Sequence, residues 1–253
     1  MTIITDPLFY LLAIPAIAAL GLGKGGFAGV GMISTPLLAL TMPPLQAAAI
    51  LLPILLCQDA ISVWVYRREW SAWNLKVLLI GSVFGVGIAW GLAAYVSDAT
   101  VRIAVGLIGI SFVLHAWMGR IPAVARRPNT ASGVFWGALS GFTSTLAQAG
   151  APPFQIHMLP QKLDKLTLVG TNMMFFAAVN WMKIVPYFAL GQFSTTGLAT
   201  SFALFPLAIA CNFLGIYLVR ITPEAMFYQL TNGMVLLLGC ELTRQGLVEL
   251  FWR

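Results

Sequence analysis

Apolar runs follow one another along this chain with little between them. They lie at about 7–22, 27–42, 45–66, 75–96, 100–119, 131–160, 166–190, 196–219 and 225–243. A helix needs about 20 residues to cross the hydrocarbon core of a bilayer, and most of these runs are near that length. None shows the two-residue alternation of a half-buried strand. In lipid the backbone must satisfy its own hydrogen bonds, so the runs read as helices. The gaps are short and carry turn or charge signals, as at Arg67-Arg68-Glu69, Ser97-Asp98 and Thr222-Pro223-Glu224. Charged residues make up 9% of the chain, against about 25% in a soluble domain. That is too little polar surface to clothe a soluble globule, and the apolar content excludes disorder.

The formal net charge is +6. No Lys/Arg run exceeds two residues, so the excess reads as the positive-inside bias of loops and not as a nucleic-acid patch. Cys57, Cys211 and Cys240 all fall in apolar stretches without CxxC spacing, which reads as packing, with no disulfide or metal. The N-terminus has Asp6 and no basic stretch ahead of its apolar run. It is expected to be a first membrane segment, not a cleaved signal peptide.

Two segments are too long for one straight span and are interrupted by glycine and proline: 7–42, containing GLGKGGFAGVGMISTPLLALTMPP, and 131–160, containing GALSGFTSTLAQAGAPPFQIHMLP. They correspond. A shift of 117 places Pro36 on Pro153 and Pro43 on Pro160. A shift of 121 places Asp59 on Asn180 and Tyr66 on Tyr187. A shift of 123 places Ser71 on Ser194, and one of 124 places Gly91 on Gly215 and Gly109 on Gly233. The common order along the chain implies an internal duplication with halves 1–123 and 124–253. Interrupted segments at matching places in two halves point to a transporter binding site.

Two topologies are open. If each interrupted segment crosses once, each half has four spans and the repeats are parallel. Eight basic residues (Arg67, Arg68, Lys76, Arg120, Arg126, Arg127, Arg244, Arg253) then face four (Arg102, Lys162, Lys165, Arg220). If each segment is a re-entrant hairpin, each half has three crossings and the repeats are inverted. Lys162, Lys165 and Arg220 then change sides, Arg244 and Arg253 go the other way, and the split is nine to three. Charge does not choose between them.

Gly21 to Gly26 matches GxGxxG, but no strand precedes it and the nearest acid downstream is Asp59, so it is no dinucleotide fingerprint. The glycines are instead expected to break the helix in mid-membrane. A helix starting near Phe27 would then aim its N–H groups at the break, favouring an anion. Lys24 sits in this cluster at an insertion cost of about 2.5–3.5 kcal/mol. It reads either as a substrate-facing cation, with Gly25 and Gly26, or as a structurally paired lysine. In the second broken segment, Ser140, Thr143, Ser144, Thr145 and Gln148 read either as back-bonded to helix carbonyls or, for 143–148, as neutral donors lining the site. Asp59 and Asn180 hold matched positions. Asp59 reads as a packing residue, a coupling-ion or proton site, or the counter-ion of Lys24. Lys183, one turn past Asn180, either snorkels or joins the site. His157, just beyond the Pro152-Pro153 break, reads either as lining the pathway or as a satisfied core or interfacial residue. His115 and His157 have no companion at ligand spacing, so no metal is expected. Asn172, Asn212 and Asn232 read as interhelical glue.

The chain resembles the sulfite exporter TauE/SafE family, in a Lys-Gly-Gly-Phe form. The resemblance rests on several motifs in order: Lys24-Gly25-Gly26-Phe27 with Pro36 following, Met42-Pro43-Pro44-Leu45, Ile50 to Tyr66 ending in Arg67-Arg68, Gly141 to Ala147, and Leu159 to Lys165 running into Val169-Gly170-Thr171. Similar proteins tend to read His-Ala-Gly-Gly-Pro where this chain has Gln148-Ala149-Gly150-Ala151-Pro152. No imidazole is therefore carried over to position 148, and one glycine fewer stiffens the break. The resemblance implies a secondary transporter of small sulfur-containing or related anions, often working as an exporter.

The expected fold is all-α and polytopic, about eight transmembrane helices in two homologous four-segment repeats. The first segment of each repeat is broken or re-entrant, and the two broken segments meet near mid-membrane. The expected function is export of a sulfur oxyanion such as sulfite or an organosulfonate. Substrate binding is assigned to Lys24, Gly25, Gly26, Thr143, Ser144, Thr145 and Gln148, and coupling or gating to Asp59, Asn180 and Lys183. Partners are the anion, a coupling proton or cation, the lipid of an inner membrane and a second copy in a homodimer. No cofactor and no nucleic acid are implied. The rival readings are an integral membrane enzyme and an assembly subunit without transport. No HExxH or GxSxG motif is present to support catalysis.

Overall fold

The computed structural model describes residues 3–27, 30–38, 40–42, 44–92, 95, 97–118, 125, 127–189, 191 and 193–251. Pro43, Arg120, Arg126, Arg253 and the boundary between 123 and 124 lie outside the described residues. Those described form α-helices and short 3₁₀ turns, with no strand among them. The helices are α1 (Pro7–Gly25), α2 (Ser34–Leu38), α3 (Pro44–Val65), α4 (Ala72–Leu92), α5 (Asp98–Trp117), α6 (Thr130–Ala147), α7 (Ala151–Met158), α8 (Lys165–Ala189), α9 (Thr195–Ile221) and α10 (Glu224–Phe251). Five stretches are long and apolar enough to cross a membrane: α1, Gln46–Val65 of α3, α4, α8 and α9. Large apolar side chains such as Leu11, Phe84, Phe188, Phe202 and Tyr217 stand exposed, as lipid-facing positions do.

The chain divides into two compact units, Met1–Glu69 with Asn172–Thr222, and Trp70–Thr171 with Pro223–Arg253. They cut across the two sequence halves, each unit drawing helices from both.

In the first unit α1 and the segment after it form a hairpin. Helix α1 ends at Gly26, whose φ of 138° is open to glycine and strained for other residues. The Gly26 N–H donates to the Gly23 carbonyl and the Phe27 N–H to the Leu22 carbonyl, the paired bonds of a Schellman cap. The chain then doubles back. Gly31 lies against Gly23 and Leu20, the Ser34 hydroxyl donates to the Ala16 carbonyl at 2.7 Å, and Leu38 packs with Phe9 and Ala13. The starts of α3 and α9 return to the end where α1 begins, since Ile4, Met42, Gln46, Ser194 and Thr196 line one cavity. Helices α1, α3 and α9 therefore run parallel. Tyr187 of α8 packs on Ala48, Ala49 and Leu52 near the start of α3, while Asn180 reaches Asp59 farther along it. The C-terminal part of α8 is thus antiparallel to them.

The second unit repeats the device. The Ser140 hydroxyl donates to the Gly150 carbonyl at 2.7 Å, and Ser132 Oγ lies 3.2 Å from His157 Nδ1. Helix α7 thus returns along α6. The expectation that 7–42 and 131–160 are not straight spans agrees with these two hairpins. The matched serines also play one role: Ser71 Oγ accepts from the Asn74 N–H at 3.4 Å and Ser194 Oγ from the Gly197 N–H at 3.0 Å, each capping a helix start.

Glycines set the helix spacing, because without a Cβ two backbones approach closely. A Cβ on Gly25 would come within 2.3 Å of Gly215, and one on Gly21 within 2.5 Å of Cys211, so α1 and α9 touch over two successive turns. Gly81 and Gly85 of α4 meet Val134 and Ala138 of α6, and Gly137 of α6 meets Leu78. Gly106 and Gly239 bring α5 and α10 together in the same way. The pairing α1 with α9 in one unit thus has its counterpart in α6 with α4 in the other.

Candidate functional site

Buried polar groups gather around the end of α1 in the first unit. A helix leaves its last carbonyls without intrahelical donors. Here α3 supplies them: the Ser62 hydroxyl donates to the Lys24 carbonyl at 2.8 Å and the Tyr66 hydroxyl to the Gly25 carbonyl at 2.9 Å. Gln58 and Ser62 of α3 and Tyr66 just past its end stand four residues apart and so share one face. Asn212 of α9 donates to the Gln58 carbonyl at 3.1 Å, and Gln58 Nε2 to the Ala208 carbonyl at 3.0 Å.

Within this frame Lys24 Nζ is ion-paired with Asp59 Oδ1. The other carboxylate oxygen accepts from Asn180 Nδ2 of α8 at 2.7 Å. Asp59 and Asn180, matched across the duplication, are therefore direct partners. Lys183 lies one turn along α8 from Asn180. Its side chain is fully enclosed and within electrostatic range of both Lys24 and Asp59. Four sequence-derived site residues, Lys24, Asp59, Asn180 and Lys183, thus form one buried cluster. Of the readings open for Asp59, the geometry here is that of the Lys24 counter-ion.

The glycines do not have the expected form. Gly21 to Gly25 stay helical, because each can be packed against a neighbour with its hydrogen bonds intact. Among the described residues no helix starts near Phe27: the next regular element is a 3₁₀ turn at Val30–Ile33, followed by the five-residue α2. Lys24 and Gly25 therefore lie at a helix C-terminus, the negative end of the dipole, and the Gly26 N–H is already used. The cationic character of this place comes from lysine ammoniums and not from a helix N-terminus.

At the second hairpin tip the hydroxyls of Thr143 and Thr145 have the back-bonded geometry, one of the two readings the sequence left open. The Thr143 hydroxyl is aimed at the carbonyls of Leu139 at 2.8 Å and Ala149 at 3.0 Å. The Thr145 hydroxyl donates to the Gly141 carbonyl at 2.8 Å. Their protons thus serve the backbone, and Thr143 with Ser140 ties down the unwound stretch. Gln148 ends α6 in the left-handed region, φ 53° and ψ 26°. Ser144 is buried in the same turn. Pro152 and Pro153 sit in the first turn of α7, where proline is tolerated. They remove two of the N–H groups that a helix N-terminus would otherwise offer.

His157 is held between Ser132 and Asn74, its Nε2 3.1 Å from Asn74 Oδ1. Gln161 donates to the same Asn74 oxygen at 3.0 Å and accepts from Asn74 Nδ2 at 2.9 Å. This is the satisfied core histidine, one of the readings the sequence left open. Sequence reasoning passed over Gln58 and Ser62, and used Tyr66 only as a marker of the duplication and of a motif. Their four-residue spacing inside an apolar run was the available signal.

Among the described residues no group of His, Cys, Asp or Glu is placed to hold a metal ion. Two buried lysines with one carboxylate, on helices that cross a membrane, suit an anion. The sequence profile of the sulfite exporter TauE/SafE family matches residues 12–242. The chain belongs to that family. TauE/SafE proteins are membrane transporters of the sulfite-exporter type, and this member is a multi-pass membrane protein. Neither among curated proteins nor among solved structures does anything match the chain.

Proposed function

We propose that this chain is a secondary transporter that exports a small anion, a sulfur oxyanion such as sulfite or an organosulfonate, across the inner membrane. The observation that carries the reading is the buried cluster Lys24–Asp59–Asn180–Lys183 at the tip of the first hairpin. Burying such charges is costly, and inside membranes ionisable residues mark transport paths. In the proposed role, Lys24 and Lys183 take the anion's charge. Asp59 holds Lys24 when the anion is absent, and Asn180 orients Asp59. Gly25 and Gly26 shape the tip so that the lysine can stand there. At the second tip, Ser144 and Gln148 are proposed to line the anion's path. Thr143 and Thr145 keep that tip folded.

Two hairpins that return to their own starting ends leave three crossings in each half. An odd number inverts the second half relative to the first, which supports eight membrane segments in two inverted repeats, 1–123 and 124–253. An inward-negative potential of 100 mV favours outward movement of a monovalent anion by about 2.3 kcal/mol. Export therefore needs no nucleotide site. Asp59 is the residue proposed to couple a proton or cation, and the working assembly is proposed to be a homodimer.

The test is flux of radiolabelled sulfite, sulfonate, sulfate and acetate in proteoliposomes. Wild type is compared with Lys24→Ala and with Lys24→Ala/Asp59→Ala, which removes the pair without stranding a charge. Anion flux in wild type that both variants lose is the expected result. Flux in Lys24→Ala as fast as wild type would sink the site, and no flux of any anion in wild type would sink the transport reading.

A further inference from the structure

Tyrosine near the end of a membrane helix usually stands at the interface with its hydroxyl among the headgroups. Tyr95 and Tyr217 are exposed in that way. Tyr66 and Tyr187 are instead enclosed within the first unit, 0% and 3% exposed. The shift of 121 that matches Asp59 with Asn180 also matches these two tyrosines. Each stands seven residues beyond its own member of that hydrogen-bonded pair, about 10 Å along a helix. Because the C-terminal part of α8 runs antiparallel to α3, the two rings lie on opposite sides of the pair. Tyr66 lies toward the end of α3. Its hydroxyl donates to the Gly25 carbonyl at 2.9 Å, one residue from the Lys24 carbonyl that takes the Ser62 hydroxyl. Beyond it come the exposed Arg67 and Arg68. Tyr187 lies toward the start of α3, packed on Ala48, Ala49 and Leu52 with Phe193 beside it. Ala49 and Phe193 also line a cavity of about 320 Å³ at that end, together with Gln46 and Ser194.

We infer that Tyr66 and Tyr187 are the two gates of the anion site, one for each face of the membrane. This rests on the anion-transport reading above and adds how the site is shut. A carrier exposes its site to one side at a time, and a duplication with antiparallel halves supplies one closing element per side. Each ring fills the way between the Asp59–Asn180 pair and one end of α3. The Tyr66 gate is held by its bond to Gly25, next to Lys24. The Tyr187 gate has the cavity on its outer side, where an anion waits before the ring yields. Passage from one face to the other requires the rings to move in turn, and the Tyr66 hydroxyl must then leave the Gly25 carbonyl.

The experiment uses the full chain in proteoliposomes, with Cys57, Cys211 and Cys240 replaced. Ser62→Cys, one turn inside Tyr66, and Leu56→Cys, between the Tyr187 pocket and Asp59, serve as reporters. A membrane-impermeant thiol reagent is applied from one side at a time, and the labelling rate from each side is read. A minor open state is populated at about 0.1–10%, so removing a gate should speed labelling about tenfold or more. Tyr66→Leu should do this for Ser62→Cys, only from the face at which α3 ends. Tyr187→Leu should do it for Leu56→Cys, only from the face at which α3 begins. Leucine keeps the core filled, and if one variant fails to assemble the other arm decides. The double variant Tyr66→Leu/Tyr187→Leu should leak methanesulfonate without saturation. Labelling that neither variant changes by more than about twofold, or that rises equally from both faces, overturns the gates. Methanesulfonate and sulfite flux in the wild type, measured alongside, tells whether the transport reading stands. Absence of any anion flux there removes both.

Discussion

Lys24 and Asp59 form an ion pair buried between α1 and α3, with Asn180 holding the carboxylate's second oxygen at 2.7 Å. Breaking such a pair from one side leaves an uncompensated charge in the interior, which costs about 3–5 kcal/mol. Lys24→Ala and Asp59→Ala should each lower the thermal midpoint in detergent strongly. The double variant should recover most of the loss, because neither charge is left stranded. A double variant as unstable as the sum of the singles would mean that the two side chains stabilise the fold independently. The comparison matters for function: loss of flux in Lys24→Ala alone reports partly on folding, and loss in the double variant reports on the anion.

Helix contact through glycine gives a second prediction. A methyl group on Gly25 has no room, with the Gly215 backbone 2.3 Å from the Cβ position. One on Gly85 would meet the Ala138 carbonyl oxygen at 2.0 Å. Gly233 faces open space. Gly25→Ala and Gly85→Ala should therefore cost about 1–3 kcal/mol by forcing helices apart. Gly233→Ala should be neutral, or stabilising by up to about 1 kcal/mol through helix propensity. Thermal midpoints of the three variants, measured side by side, check this. Equal effects at Gly25 and Gly233 would refute the close α1–α9 approach.

The membrane spans were legible because a crossing helix needs a run of apolar residues and little else. The hairpins were legible only as interruptions. The return arm Val30–Leu38 is as apolar as the helix it packs against, so hydropathy carries no sign of direction. What fixes direction is a contact such as Ser34 to Ala16, and that exists only once the chain has turned. The glycines misled for a related reason. Gly21 and Gly25 look like a break, yet their four-residue spacing is also that of close-packed helices, and Cys211 and Gly215 supply the matching small residues on α9. Lys24, Asp59 and Lys183 stood out as charges in apolar surroundings. That Asp59 would sit on Lys24, 35 positions away, could be named among the options but not chosen, because the register of α1 against α3 is a tertiary fact.

Hairpins that return to their starting ends make a topological prediction. In a background with Cys57, Cys211 and Cys240 replaced, single cysteines at Ile3 and Gln46 bracket the first hairpin, and those at Arg127 and Lys162 bracket the second. A membrane-impermeant thiol reagent should label both members of each bracket from the same side. On the proposed topology of three crossings in each half, the two brackets should report opposite sides. Labelling of Arg127→Cys and Lys162→Cys from opposite faces would restore the single-crossing topology and parallel repeats.

Outside the spans, Asp164 gives a prediction in pH. It precedes α8 and accepts from the Thr167 N–H at 2.9 Å, the role of an N-cap carboxylate. Its partial burial raises the carboxyl's pKa, but the hydrogen bonds from Thr167 and nearby backbone N–H groups outweigh that and hold it below its ordinary 3.8. A carboxyl whose folded pKa is depressed binds protons less readily folded than unfolded. Its stabilisation is fully present above the unfolded value and is lost as pH falls through the folded one. Asp164→Ala should therefore lower the thermal midpoint at neutral pH, with the gap to wild type constant down to about pH 5 and closing below 3.8. Asp164→Asn keeps an acceptor without the charge, so it should show a smaller deficit with little pH dependence of the gap. A gap for Asp164→Ala that is unchanged on acidification would mean that the aspartate contributes only as a neutral cap, and the charge at the start of α8 would then have no part in holding the second hairpin's exit.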